Sequence, residues 1–196
     1  MPPESSATAL FGDRAGLAER YAGRLATVGV ERGLIGPAEA DRIWSRHVAN
    51  SAALSPLIGM GCRVIDVGSG AGLPGLPLAL ARPDLDVILL EPMLRRSVFL
   101  EETVADLGLE GQVTVVRARA EDAKLTADVV VARAVAPLDR LVGWTRHLFP
   151  EGMLLALKGD KAKAEIAAAA ASLAKWRLTA DILHPAAATV IRVTRQ

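Results

Sequence analysis

The sequence predicts a doubly wound α/β fold: a mostly parallel seven-stranded sheet, Rossmann-like, preceded by N-terminal helices. Three observations carry this. From Met60 onward, short apolar runs alternate with helical patterns, as in sheets whose crossovers are helices. The runs are almost continuously apolar, as strands covered on both faces require. A glycine-rich stretch, "GSGAGLPG" at 68–75, directly follows the first run, where such folds turn from strand to helix beside their ligand site. With 196 residues the chain is long enough for one sizeable core and too short for two full domains.

Taken in order, residues 1–12 carry no clear pattern and read as loose. From Asp13, the apolar positions Leu17, Tyr21, Leu25 and Val28 recur at helical spacing, with Gly29 as the stop. "GPAEADRIWSRHVANSAAL" (36–54) reads as a second helix opened by Gly36 and Pro37, since proline fits a first helical turn. Its Ile43, His47 and Ser51, four residues apart, share one face. The strands follow as "RVIDVG" (63–68), "DVILLEP" (86–92), "VTVVRA" (113–118), "ADVVVARA" (127–134) and "GMLLALKG" (152–159). "RLTADILHP" (177–185) and "TVIRVTRQ" (189–196) form a closing pair. Between them lie helices at 76–81, at 94–109 ending on Gly108, at 137–148, and at 160–176, where the alanine run favours helix. We expect a helical extension over 1–60 packed on a core over 61–196, a single domain overall.

Apolar residues make up 51% of the chain, yet no stretch is long enough to span a membrane. "MPPESSATALFGD" carries an acid and lacks a basic-then-apolar leader, so a soluble, cytoplasmic protein is expected. The single Cys62 excludes an internal disulfide and a cysteine-only metal site. His47, His147 and His184 are scattered, so no metal is expected. A net charge of +1 argues against a general nucleic-acid coat and leaves room for a local basic patch.

In this fold class, ligands bind beyond the carboxyl ends of the strands. The residues there are Asp66 to Gly75, Glu91, Arg119 to Asp122, Arg133 to Pro137, and Lys158 with Gly159. A glycine loop of this kind holds a bare phosphate, a dinucleotide or an S-adenosyl group. No lysine follows Gly75, which rejects the Walker loop. Gly70, Gly72 and Gly75 fit the dinucleotide spacing, with Glu91 placed for ribose hydroxyls. Three features favour S-adenosyl-L-methionine. Asp66, two residues before the first glycine, suits a cationic ligand. The closing strand pair leaves no room for a second substrate domain. "AEDA", with Ala120 and Glu121, follows strand three, where it could approach an adenine edge. The cofactor set is then Asp66, Gly68, Ser69, Gly70, Gly72, Leu73, Gly75, Glu91, Ala120, Glu121 and Arg133. The plainer alternatives are a tight turn for the glycines, a helix-capping carboxylate for Asp66 and a solvated loop acid for Glu91.

"DVGSGAG" resembles the D-x-G-x-G-x-G pattern of class I S-adenosylmethionine-dependent methyltransferases. A narrower resemblance lies in the "GLPG" extension, "RHVANS" upstream, "VARAVAPL" after strand four and "LALKG" at strand five. Together these are similar to the ribosomal RNA small-subunit methyltransferase G family, also called glucose-inhibited division protein B, from about Asp41 to the end. The resemblance implies methyl transfer to N7 of a guanine in the 530-loop of bacterial 16S rRNA. The expected acceptor is that rRNA or the small ribosomal subunit; a monomer is expected, although the sequence itself leaves the oligomeric state open. It also implies activity or RNA-contact roles for His47, Arg133 and Lys158. Arg95, Arg96, Arg117, Lys161 and Lys163 are expected either to extend a basic rim toward the RNA or to be ordinary solvated charges on helix faces. The chain departs from the family in lacking "NLT" between its N-terminal helices, in Asn50 where aspartate is usual, and in Glu91 where aspartate is common. Taken without the resemblance, Lys158 reads as a surface charge at a sheet edge and His47 as a satisfied helix histidine.

Overall fold

The computed structural model describes residues 4–196. The sheet has seven strands in the order β3-β2-β1-β4-β5-β7-β6. They are β1 (Arg63–Val67), β2 (Asp86–Leu90), β3 (Val113–Val116), β4 (Val129–Arg133), β5 (Met153–Lys158), β6 (Leu178–Leu183) and β7 (Thr189–Arg195). Strands β1 to β5 are parallel, and β7 runs against both β5 and β6. The chain winds outward from β1 through β2 to β3, then returns to lay β4 on the other side of β1. Strand order therefore reverses between β1 and β4, where a doubly wound sheet opens its crevice. Val67 lies beside Ala132 in that pairing, so the loops after the two strands are neighbours.

The central strands are apolar on both sides because each side has its own core. Val64, Val87, Leu89, Val129, Val131, Leu155 and Leu157 face one core, shared with α4 (Gly75–Ala81), α5 (Leu94–Leu107) and the N-terminal helices. Ile65, Val67, Val130, Ala132, Leu154 and Ala156 face the other, shared with α6 (Leu138–Thr145) and α7 (Ala162–Lys175). This period of two also sorts the polar residues at the strand ends. Asp66 and Arg133 continue the first series, toward the N-terminal helices. Lys158 continues the second, toward α6 and α7.

The N-terminal region departs from expectation in three places. The stretch read as loose is helical over α1 (Glu4–Phe11); the rest of that expectation, residues 1–3, lies outside the described residues. Ala7 and Phe11, one turn apart, are buried, and Phe11 meets Trp44 edge-on. That burial holds a helix too short to persist alone. Next, α2 (Ala15–Arg24) continues through a wide turn over Leu25–Gly29 and ends only at Glu31. Gly29 is no stop; it is buried inside the continuing helix. Last, the helix expected over 36–54 is wound three ways: tight over Pro37–Arg42, wide over Ile43–Ala49, then α over Asn50–Ala52 (α3). Ile43, His47 and Ser51 are all buried all the same.

No helix among the described residues is long and apolar enough to cross a membrane.

Candidate active site

The glycine loop is held by its own amides. Gly68 and Ser69 donate to the Leu90 carbonyl (2.8 and 3.3 Å), and Gly72 and Leu73 to that of Ser69 (2.7 and 3.0 Å). Gly70 donates to Glu91 Oε2 and Gly75 to Asp66 Oδ2, both at 2.9 Å. A loop that binds phosphate turns such amides toward the anion. Here six of them are spent internally, two on carboxylates, which disfavours the phosphate and dinucleotide alternatives.

The glycines also have packing reasons that the sequence does not display. A Cβ on Gly68 would lie 2.9 Å from Val135 of the loop after β4, and one on Gly75 would lie 2.4 Å from Leu89 and 2.8 Å from Asp66 Oδ2. A tight turn therefore accounts for more of this motif than its glycine count indicates.

Asp66 is fully buried. Its Oδ2 caps the start of α4 through Gly75, so the capping alternative holds for that oxygen. Its Oδ1 is buried with no hydrogen-bond partner. Burial pushes the Asp66 carboxyl up to about 7; the Gly75 amide, the Ser69 hydroxyl and Arg133 pull it back, and Glu91 adds to the rise. Above the loop lies Tyr21 of α2, which sequence reading assigned only to an apolar helix face. It is fully buried and donates from its hydroxyl to the Ala71 carbonyl at 2.8 Å. Burial and the neighbouring Asp66 raise its pKa, keeping the donor proton in place. The N-terminal region thus braces the loop across fifty residues of sequence.

Glu91 is buried, not a solvated loop acid. Its oxygens accept from the Gly70 and Met93 amides, each at 2.9 Å. Each oxygen keeps a lone pair for a hydroxyl donor. Ala120 and Glu121 form a tight turn after β3, with Ala120 buried and Glu121 exposed, 3.9 Å from Arg119.

Arg133 ends β4 and points to the N-terminal helices. Its Nη1 lies 3.3 Å from the His47 carbonyl and from Ser51 Oγ, and its Nη2 donates to His47 Nδ1. The buried His47 has its pKa lowered by burial, then by Arg133 and Arg46, against Glu39, which raises it. The next residue, Ala134, has a left-handed backbone (φ 54°), uncommon for a side-chain-bearing residue and costly in strain.

Lys158 is nearly buried and stands apart from that pair. Its Nζ donates to the Ala136 carbonyl and to Glu165 Oε2, both at 2.7 Å, and the same carboxylate accepts from the Leu138 amide. This ammonium ties the loop after β4 to α7; it is not the surface charge its sequence context resembles. Arg133 and Lys158 line a common cavity of about 560 Å³, with Arg46 and Asn50 on its rim. The resemblance grouped His47, Arg133 and Lys158; the structure joins His47 to Arg133 and ties Lys158 to Glu165 instead. Tyr21, Glu39 and Glu165 were not among the expected site residues.

The model of the family described as rRNA small subunit methyltransferase G (GidB) matches residues 14–187. The chain belongs to this family. Two curated relatives named ribosomal RNA small subunit methyltransferase G show the level of similarity. That of Acidothermus cellulolyticus is 62% identical over 167 residues, covering 85% of this chain and 75% of its own. That of Mycobacterium marinum is 56% identical over 172 residues, with the same coverage. Among solved structures, the ribosomal protein L11 methylase of Lactobacillus delbrueckii subsp. bulgaricus superposes with a TM-score of 0.59 at 17% identity, covering 75% of this chain and 76% of that one. At that identity the likeness speaks for the fold, a class I methyltransferase sheet. Membership in the rRNA methyltransferase G family makes the chain an rRNA methyltransferase and implies a methyl donor. Tyr21, Glu39, His47, Asp66, Glu91, Arg133 and Lys158 all fall within the matched residues.

Proposed function

We propose that the chain transfers a methyl group from S-adenosyl-L-methionine to N7 of a guanine in the 530-loop of bacterial 16S rRNA, in the cytoplasm. The observation that carries the donor is the glycine loop with its amides spent internally and two buried carboxylates beside it. Such a site suits a cation, and the donor carries an ammonium and a sulfonium. The buried, donor-less Asp66 Oδ1 fits a group that brings hydrogen-bond donors. Glu91 would take the ribose hydroxyls and the Ala120–Glu121 turn the adenine edge. The bound donor supplies an electrophilic methyl on sulfur.

Guanine N7 has a free lone pair and loses no proton on methylation. The chain's residues therefore need no general base; they must align the base and exclude water. Arg133 would meet O6 or a flanking phosphate, since a hydrogen bond to N7 would block the attacking atom. The direct test is transfer of labelled methyl to protein-free 16S rRNA and to small subunits, with mapping of the modified base. A single labelled guanine at N7 is expected; label on a small molecule or protein instead would defeat the proposal.

A pH dependence follows from Asp66. The cofactor-free carboxyl titrates near 7, and a cation bound beside it lowers that pKa. Binding below pH 7 should therefore release up to one proton, and affinity should fall with pH, by about tenfold per unit well below the pKa. Stability runs the other way: the folded pKa lies above the unfolded value of 3.8, so Asp66 disfavours folding increasingly from about pH 4 to pH 7. Calorimetric titration at pH 6.5 in buffers of different ionisation heat measures the released proton. No buffer dependence would show that donor binding does not ionise Asp66, and would overturn this pH dependence.

A further inference from the structure

We propose that Glu39 is a positioning residue: through His47, it sets how Arg133 presents its guanidinium to the cavity beyond β1 and β4. Arg133 can only donate, so the His47 Nδ1 it meets must be an unprotonated acceptor. The neutral ring then carries its proton on Nε2. That atom lies 3.2 Å from Glu39 Oε2, and both are buried without a hydrogen-bond partner, so each is within reach of what the other lacks. The other Glu39 oxygen, Oε1, accepts from Arg46 at 3.1 Å and Arg42 at 3.3 Å, which fixes the carboxylate from its own stretch of chain. Glu39, His47 and Arg133 thus form a line of three groups, a carboxylate fixing an imidazole tautomer and the imidazole fixing a cation. The charged groups acting on the ring are Arg133, Glu39 and Arg46. In Glu39→Gln the amide can present NH₂ to Nε2, drawing the ring proton to Nδ1, where it opposes the Arg133 N–H.

The inference rests on Arg133 facing the RNA, so its test has one arm that needs no activity. Nitrogen-resolved NMR of wild type should show His47 protonated at Nε2 and bare at Nδ1. Glu39→Gln should shift the ring toward Nδ1–H and lower its titration midpoint, because Glu39 raises it; Glu39→Asp should restore part of both. An unchanged tautomer in Glu39→Gln overturns the proposal, whatever the RNA result. In the activity arm, Glu39→Gln should cut kcat/KM for RNA about tenfold, as loss of an orienting partner does. His47→Asn keeps an acceptor near the Nδ1 position and has no tautomer to fix. In that background Glu39→Gln should cost less than about twofold, the margin of independent effects. Equal losses in both backgrounds would mean that Glu39 acts through Arg42 and Arg46, and would overturn the proposal. If the NMR changes appear while wild type methylates no rRNA, the functional assignment fails and the Glu39–His47 link stands.

Discussion

Gly75→Ala is expected to lower the thermal midpoint by roughly 4–24 °C and to weaken donor binding with it. The added Cβ would lie 2.4 Å from Leu89 Cδ2 and 2.8 Å from Asp66 Oδ2. Neither neighbour can give way freely. Leu89 is fully buried in a central strand, and Asp66 Oδ2 is bound to the amide of Gly75 itself. Relief by moving Asp66 breaks the cap of α4 and disturbs a buried carboxylate; relief by moving Leu89 strains the core. Overpacking costs about 1–3 kcal/mol, and a lost hydrogen bond to a buried carboxylate about 1–3 more. For a chain of this size each kcal/mol shifts the midpoint by about 2–4 °C. Gly111→Ala, where a Cβ meets nothing within 4 Å, is the control and should stay within about 2 °C. A Gly75→Ala protein as stable as that control would show that the motif's last glycine serves only the ligand.

The sheet was legible in the sequence because its signal is local. Each strand is a short apolar run, and the helices between them are closed by features such as Gly108, which has the left-handed backbone expected of a helix end. The 3.6-residue spacing that placed His47 and Ser51 on one face also survived the uneven winding of 37–52, since both reach Arg133. What was not legible was set by partners distant in sequence. Residues 4–11 are helical through packing, not propensity. Tyr21 looks like any apolar helix position until its hydroxyl is seen on Ala71, 50 residues away. Glu39 sits among ordinary surface charges, and Glu165 on an alanine-rich helix; nothing nearby marks either as a partner of the site. Arg133 and Lys158 close adjacent strands, but Arg133 is in register with Leu157, so Lys158 is one step off in the two-residue period. That step sends Arg133 to His47 and Lys158 to Glu165.

Arg133→Lys should raise KM for the RNA roughly tenfold to a hundredfold, the loss of a well-placed charge-assisted contact to O6 or phosphate, with a smaller change in kcat. Lysine is the sharper substitution because it keeps the charge. Arg133 helps hold down the Asp66 pKa, so an alanine there would disturb the donor site as well, whereas lysine leaves that influence largely in place. What lysine loses is the fork: one ammonium cannot meet the His47 carbonyl, Ser51 Oγ and His47 Nδ1 in the guanidinium's geometry. The KM–kcat split follows from where charge goes. Methylation at N7 moves positive charge from the donor's sulfur onto the base. A fixed cation beside the guanine opposes that movement, so it cannot stabilise the transition state more than the ground state; its contribution must lie in binding and orientation. On the proposed reading, the two buried carboxylates, Asp66 and Glu91, would stand on the donor's side and the cation on the acceptor's. Such an arrangement would hold both substrates and leave the reaction's drive to the sulfonium. If Arg133→Lys instead lowered kcat a hundredfold at unchanged KM, the guanidinium would be acting on the reacting atoms, and its assignment to O6 or phosphate would have to be given up.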